Sequence, residues 1–135
     1  MNLDDEPTGS LVLDASAIVE LLLETPATEP IRRRIRGNEL HAPAHFDAEV
    51  LSALGRMHRG DRLSADDVSA RLELLQDLPI RRHQLPRLLT GAWDRRGSLR
   101  LVDALYVELA EQLDAPIITA DGRLAAAVPR AETPT

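Results

Sequence analysis

The sequence predicts an α/β domain with a central parallel sheet of four to five short strands flanked by helices. Three observations carry this. The apolar runs Leu11-Val12-Leu13 and Ile117-Ile118-Thr119 lack the apolar–polar alternation of a half-wet strand, so they fit strands buried on both faces. Between them lie segments with helical spacing, most clearly Leu105, Leu109 and Leu113. Strand-like and helix-like segments also alternate along the chain, the order that lays helices across a parallel sheet. With 135 residues, 44% hydrophobic and 28% charged, the chain suffices for one domain with its own core.

Each element has a local reason. Met1 to Ser10 has no apolar period and reads as a loose tail. Leu11 to Leu13 is the first strand, and the helix after it carries Ile18, Leu21 and Leu22 before Thr25-Pro26 stops it. Pro30 suits the first turn of a short helix over Ile31 to Arg36, with Gly37 as its C-terminal cap. Glu39 to Ala42 is the second strand, and a longer helix spans His45 to Arg59 with Val50, Leu51, Leu54 and Met57 on one face. Ser64 and Asp67 make an imperfect capping box, Asp standing where Glu or Gln is usual, for a helix ending near Leu78. Ile80 to Arg82 is a weak third strand, and Leu85 to Arg96 a helix ended by Gly97. Leu101 to Leu113 is an amphipathic helix, Pro116 to Thr119 a strand, Arg123 to Ala127 a short helix, and the surroundings of Val128 a marginal strand. Ala131 to Thr135 reads as a tail.

Composition narrows the chemistry. Without cysteine there is no disulfide scaffold, thiolate zinc site or cysteine nucleophile. All 16 basic residues are arginine, so chemistry that needs a lysine is excluded. With 22 acidic residues the net charge is −6, and any nucleic acid must be held by local arginines or bridging cations. Phe46, Trp93 and Tyr106 are the only aromatics, too few for a base-stacking platform. The acidic start, Met1 to Glu6, lacks the order of a signal peptide, and no apolar run spans a bilayer, so a cytoplasmic protein is expected.

Two strands run directly into an acid, Asp14 after Leu13 and Asp121 after Ala120. Glu49 and Asp103 sit near the starts of two helices. Each alone also fits a helix cap or a solvated first-turn acid. In doubly wound sheets, however, ligands bind outside the carboxyl ends of the strands, where these positions converge. Carboxylates sharing one cleft repel unless a cation intervenes, and oxygen donors suit Mg²⁺ or Mn²⁺.

Four motifs carry a resemblance to a known family: Leu11-Val12-Leu13-Asp14-Ala15-Ser16-Ala17, Ala42 through Leu54 with Glu49 inside it, Leu101-Val102-Asp103-Ala104-Leu105-Tyr106, and Ile117-Ile118-Thr119-Ala120-Asp121-Gly122-Arg123-Leu124. In this order and spacing the chain resembles the PIN-domain ribonucleases, most closely the VapC toxins of bacterial toxin–antitoxin pairs, from Leu11 to Val128. The resemblance implies a three-layer, Rossmann-like PIN fold, with a single domain over residues 11–130. It implies that Asp14, Glu49, Asp103 and Asp121 are a catalytic, metal-binding quartet, supported by Ser16 and Thr119. The implied activity is Mg²⁺-dependent hydrolysis of RNA phosphodiester bonds, inhibiting translation and growth, with Mn²⁺ able to substitute. The implied partners are an RNA substrate, a cognate VapB-type antitoxin and a second copy of the chain, in a heterotetramer or larger assembly with the antitoxin, away from membranes.

Other residues have weaker standing. Arg95, Arg96 and Arg100 precede the helix bearing Asp103 and are candidate RNA contacts, as is the basic run Arg32, Arg33, Arg34 and Arg36; both also fit solvated helix faces. Asp47 reads as a solvated first-turn acid, and no metal role is expected of His41 and His45, which a strand-to-helix junction separates. A phosphoryl-accepting module would need a lysine-like cation and an Asp where Ser16 stands. A catalytically silent RNA- or protein-binding module on the same fold is the remaining alternative.

Overall fold

A computed structural model describes residues 9–135. Five parallel strands form one sheet in the order β3-β2-β1-β4-β5. They are β1 (Ser10–Leu13), β2 (Glu39–Pro43), β3 (Ile80–His83), β4 (Ile117–Ile118) and β5 (Ala131–Glu132). Seven α-helices flank them among the described residues: α1 (Ala15–Leu23), α2 (Thr28–Ile35), α3 (Phe46–Arg59), α4 (Ala65–Asp77), α5 (Leu89–Asp94), α6 (Leu101–Leu113) and α7 (Gly122–Ala127).

The central strand is the most apolar one, for a packing reason. Leu11, Val12 and Leu13 point alternately to the two sheet faces, yet all three are buried, as are Ile117 and Ile118 beside them. The register Val12↔Ile117 and Leu13↔Ile118 makes β1 and β4 end side by side. The chain first builds outward from β1 through β2 to β3, then crosses back to β4. The winding therefore reverses between β1 and β4, which opens a crevice at their carboxyl ends. Helix α6 packs on β1, β2 and β4 through Ala104, Leu105, Tyr106, Val107, Leu109 and Ala110, while α1 packs against α2, α3 and α4.

Several boundaries differ from expectation. The last strand is Ala131–Glu132 and not the surroundings of Val128, which instead closes α7 through its amide bonded to Leu124 O. The segment read as a tail thus begins inside the sheet. Ala-Glu carries no strand signal of its own; the open edge of β4 supplies the pairing, Ile117↔Ala131 and Ile118↔Glu132. Ser10, placed in the N-terminal tail, opens β1, while the rest of that expected tail up to Thr8 lies outside the described residues. The helix expected over Leu85 to Arg96 is a 3-10 turn, Leu85–Leu88, followed by the short α5. Pro86 is tolerated at its start because an amide in the first turn has no helical acceptor to lose. Helix α2 begins three residues earlier than expected and keeps Pro30 in its first turn, and Gly37 takes the left-handed conformation, φ +78°, just beyond its cap. The capping box forms in both directions despite its aspartate: the Asp67 amide donates to Ser64 Oγ at 3.0 Å and the Ser64 amide to Asp67 Oδ2 at 3.1 Å.

A histidine pair, His41 buried and His83 half-buried, ties β2 to β3. His41 Nδ1 lies 2.8 Å from His83 Nε2, a hydrogen bond in which one ring donates and the other accepts. His41 Nε2 stands 2.8 Å from Glu39 Oε1, outside hydrogen-bond alignment, and Arg81 reaches the same carboxylate oxygen at 3.7 Å. Burial lowers the pKa of both histidines below the ordinary value; Arg81 acts in the same direction and Glu39 opposes it. A histidine kept neutral in the fold stabilises it above the unfolded pKa, and that stability is lost as pH falls through the folded one. The melting temperature in metal-free buffer should therefore drop between about pH 7 and about pH 5, above the range where carboxylates titrate. The double variant His41→Asn/His83→Asn should show a flatter profile over this window in the same melts.

Candidate metal centre in an acidic cleft

Asp14 is the most buried of the four predicted acids, at 6% exposure. It is the N-cap of α1, and its Oδ1 accepts from the Ala17 amide at 3.1 Å and from Ser16 Oγ at 2.7 Å. Its Oδ2 accepts from Thr119 Oγ1 at 2.7 Å. Burial raises the Asp14 pKa; the bonds from Ser16, Thr119 and Ala17 oppose the rise, and the charge of Asp121 adds to it. The capping reading and the site reading of this residue thus describe the same carboxylate.

Ser16 and Thr119 stitch the two strand ends together. Thr119 is fully buried and, besides donating to Asp14, accepts the Asp121 amide at 2.9 Å. Ser16 Oγ accepts the Ala120 amide at 2.9 Å and lies 3.2 Å from Thr119 Oγ1. The turn that carries Asp121 is therefore hung on side chains that also hold Asp14. Asp121 itself caps α7 and pairs with Arg123, amide to Oδ1 at 2.9 Å and guanidinium to Oδ2 at 3.2 Å. Burial opposes its ionisation, but the Arg123 amide and guanidinium outweigh that and hold its pKa below the usual value.

Glu49 lies on the first turn of α3 and meets α6: Tyr106 Oη donates to its Oε1 at 2.5 Å. His45 Nε2 approaches the same oxygen at 3.3 Å and Val102 O at 3.1 Å. Asp103, in the first turn of α6, accepts from Arg100 Nε at 3.0 Å. Asp14, Ser16, Glu49, Asp103 and Asp121 line one cleft of about 370 Å³, shared with Glu20, Arg56, Arg100 and Tyr106.

The donor set fits a hard divalent cation, since every acid offers only oxygen and Asp14 is a buried charge without a cation in contact. Among the described residues no three such side chains close into a cage by themselves. Two of the acids are instead drawn onto arginines, Asp103 onto Arg100 and Asp121 onto Arg123.

The expected RNA contacts divide. Arg100 lines the cleft. Arg95 is held by Glu108 at 2.7 Å and Gly91 O at 2.9 Å, and Arg96 stacks 4.9 Å over Trp93, so neither borders the acids. In α2, Arg32 pairs with Glu29 at 2.9 Å and Arg34 with Glu132. Asp47 is a partly solvent-exposed first-turn acid, as expected, and Arg82 also pairs with it at 2.7 Å while lying over the Phe46 ring. Arg56 was missed by the sequence reading. Its signal was helical spacing, since it stands seven residues, two turns, beyond Glu49 on α3.

The model of the PIN domain matches residues 11–128 of this chain. Ribonuclease VapC3 of Mycobacterium tuberculosis is 53% identical over 126 residues, covering 93% of this chain and 92% of the relative. The chain belongs to the VapC family of PIN-domain proteins. Among solved structures, VapC20 of Mycobacterium tuberculosis, titled a sarcin–ricin loop cleaving toxin, matches with a TM-score of 0.67 at 16% identity, over 87% of this chain and 94% of that one. A toxin–antitoxin complex from Klebsiella pneumoniae matches with a TM-score of 0.63 at 15% identity, over 93% and 98%. At these identities the two structures speak for the fold, which is the PIN architecture of a parallel sheet flanked by helices.

The hydroxyl of Thr119 serves three partners, so its removal has a defined cost. Thr119→Val keeps the shape but leaves Asp14 Oδ2 without its donor and the Asp121 amide without its acceptor. Urea denaturation should show a loss of about 1–3 kcal/mol, the cost of unmade buried hydrogen bonds. Unchanged stability would reduce Thr119 to a packing residue.

Proposed function

We propose that this protein is a Mg²⁺-dependent endoribonuclease and the toxin of a toxin–antitoxin pair, inhibiting translation and growth by cutting RNA in the cytoplasm. The observation that carries the reading is the convergence of Asp14, Glu49, Asp103 and Asp121 on one cleft at the switch point of the sheet, in a member of a family whose relative is named a ribonuclease. The likeness to a toxin–antitoxin complex from Klebsiella pneumoniae supports an antitoxin as partner; that it is of the VapB type, and that a toxin homodimer sits inside a heterotetramer or larger assembly, belong to the same proposal. No helix among the described residues is long and apolar enough to cross a membrane.

The four carboxylates would hold the cation, Mg²⁺ with Mn²⁺ as substitute. When bound, such an ion neutralises phosphate charge, orients a water for in-line attack and lowers that water's pKa. The rest falls to the chain. Three donors favour the ionised form of Asp14 against the burial that raises its pKa. Arg100 and Arg123 relieve the repulsion among the acids, on the order of 1 kcal/mol per close pair in a wet site. Arg56 donates to Ser52 Oγ at 2.9 Å and, among the described residues, forms no ion pair. Its guanidinium is the cleft cation available to a substrate phosphate.

Asp14→Asn, Glu49→Gln, Asp103→Asn and Asp121→Asn should each abolish RNA cleavage in Mg²⁺ with the circular dichroism spectrum retained, and EDTA should silence the wild type. Full cleavage by both Asp103→Asn and Asp121→Asn would sink the quartet. Arg56→Ala should raise KM several-fold with kcat nearly unchanged, the mark of a lost binding contact. A fall in kcat alone would place Arg56 elsewhere in the reaction.

A further inference from the structure

We propose that Tyr106 is a positioning residue that sets where the Glu49 carboxylate stands relative to Asp14 and Asp103, through the hydrogen bond from its hydroxyl to Glu49 Oε1. The proposal rests on the reading of these acids as a cation site and adds a side chain that does not itself bind the ion.

The geometry is that of a strut. Tyr106 is 1% exposed and follows Asp103 by three residues, so both project from neighbouring turns of α6. Its hydroxyl donates to Glu49 Oε1 at 2.5 Å. One phenol thus ties α6, which carries Asp103, to Glu49 on α3, two separate elements. No local sequence feature brings those elements together.

A phenylalanine would fill the same apolar space at less cost, since a buried hydroxyl is unfavourable unless it is hydrogen-bonded. Here its proton is used, donated to Glu49 Oε1, and a phenol is protonated at neutral pH, so the hydroxyl acts as a donor. His45 completes the arrangement. Its ring packs 4.8 Å from the Tyr106 ring, and its Nε2 lies between Val102 O and Glu49 Oε1. Both contacts engage Oε1, and among the described residues Oε2 has no hydrogen bond, which makes it the oxygen that would be left for a cation. Fixing one oxygen of a ligand carboxylate is how outer hydrogen bonds raise metal affinity, and losing such a bond typically costs 10–100-fold.

The test titrates the full chain with Mn²⁺ alone, by calorimetry, and measures RNA cleavage in parallel. Tyr106→Phe should bind Mn²⁺ about 10–100-fold more weakly and lose kcat at saturating RNA with KM for RNA little changed. Glu49→Gln should weaken binding as well, and Tyr106→Phe added to it should have no further effect, because the hydroxyl acts through that carboxylate. Tyr106 is the single tyrosine of the chain, so biosynthetic meta-fluorotyrosine labels this position alone without removing the hydroxyl. Its fluorine resonance should shift on adding Mg²⁺, and the shift should vanish in Glu49→Gln. This second measurement carries the test even where Tyr106→Phe does not fold. Wild-type Mn²⁺ affinity in Tyr106→Phe, additive losses in the double variant, or a fluorine resonance indifferent to Mg²⁺ would each overturn the role of Tyr106 while leaving metal-dependent cleavage by the wild type intact. A wild type that neither binds Mn²⁺ nor cleaves RNA would overturn both readings together.

Discussion

A charge buried at the seam between β1 and β4 is the constraint on which the cleft depends. Asp14 ends the central strand, where the sheet reverses direction, and its carboxylate is almost out of contact with water. Taking an ion there is unfavourable unless its lone pairs are occupied. The chain occupies them from both sides of the seam, with Ser16 and the Ala17 amide from α1 and Thr119 from the end of β4. Because Thr119 and Ser16 also anchor the turn leading to Asp121, satisfying one buried charge fixes the position of a second acid. Stability and site geometry are here the same set of hydrogen bonds.

The other two acids arrive by packing. Helix α6 lies across β1, β2 and β4 through a continuous apolar face, and Tyr106 on that face meets Glu49 of α3. The acids therefore hang from a rigid core and not from mobile loops, the condition under which a site keeps its geometry. Their electrostatics are balanced by arginines that the cleft itself supplies. Arg100 and Arg123 stand on the acids nearest to them. On the proposed function a cation and a phosphate would compete for the two halves of these pairs, and in a protein of net charge −6 local arginines, not the overall field, would hold the anion.

Most of the architecture was legible along the chain because it rests on local rules. Two-face burial made Leu11–Leu13 and Ile117–Ile118 read as central strands, and four-residue leucine spacing marked α6 to its ends. Ser64 with Asp67 announced α4. What failed was what no local rule governs. Strand β5 has no strand-forming residues and exists because β4 offers an open edge. The partner of Asp47, Arg82, could not be foreseen because it lies 35 residues away. Nor could the pairing of Arg95 with Glu108, which is made by folding α5 against α6.

The four acids, their oxygen-only chemistry, the absence of lysine and cysteine, and the placement of each acid at a strand end or helix start are properties of the sequence alone, because residue type and short-range pattern set them. Their convergence on one cleft, the triple bonding of Asp14, the bond from Tyr106 to Glu49, and the presence of Arg56 and Arg100, and not Arg95 and Arg96, in the lining of that cleft belong to the tertiary structure. The contacts behind these join residues as far as 105 positions apart, as from Thr119 to Asp14, and such distances are closed only by the winding of a parallel sheet and the burial of its helices.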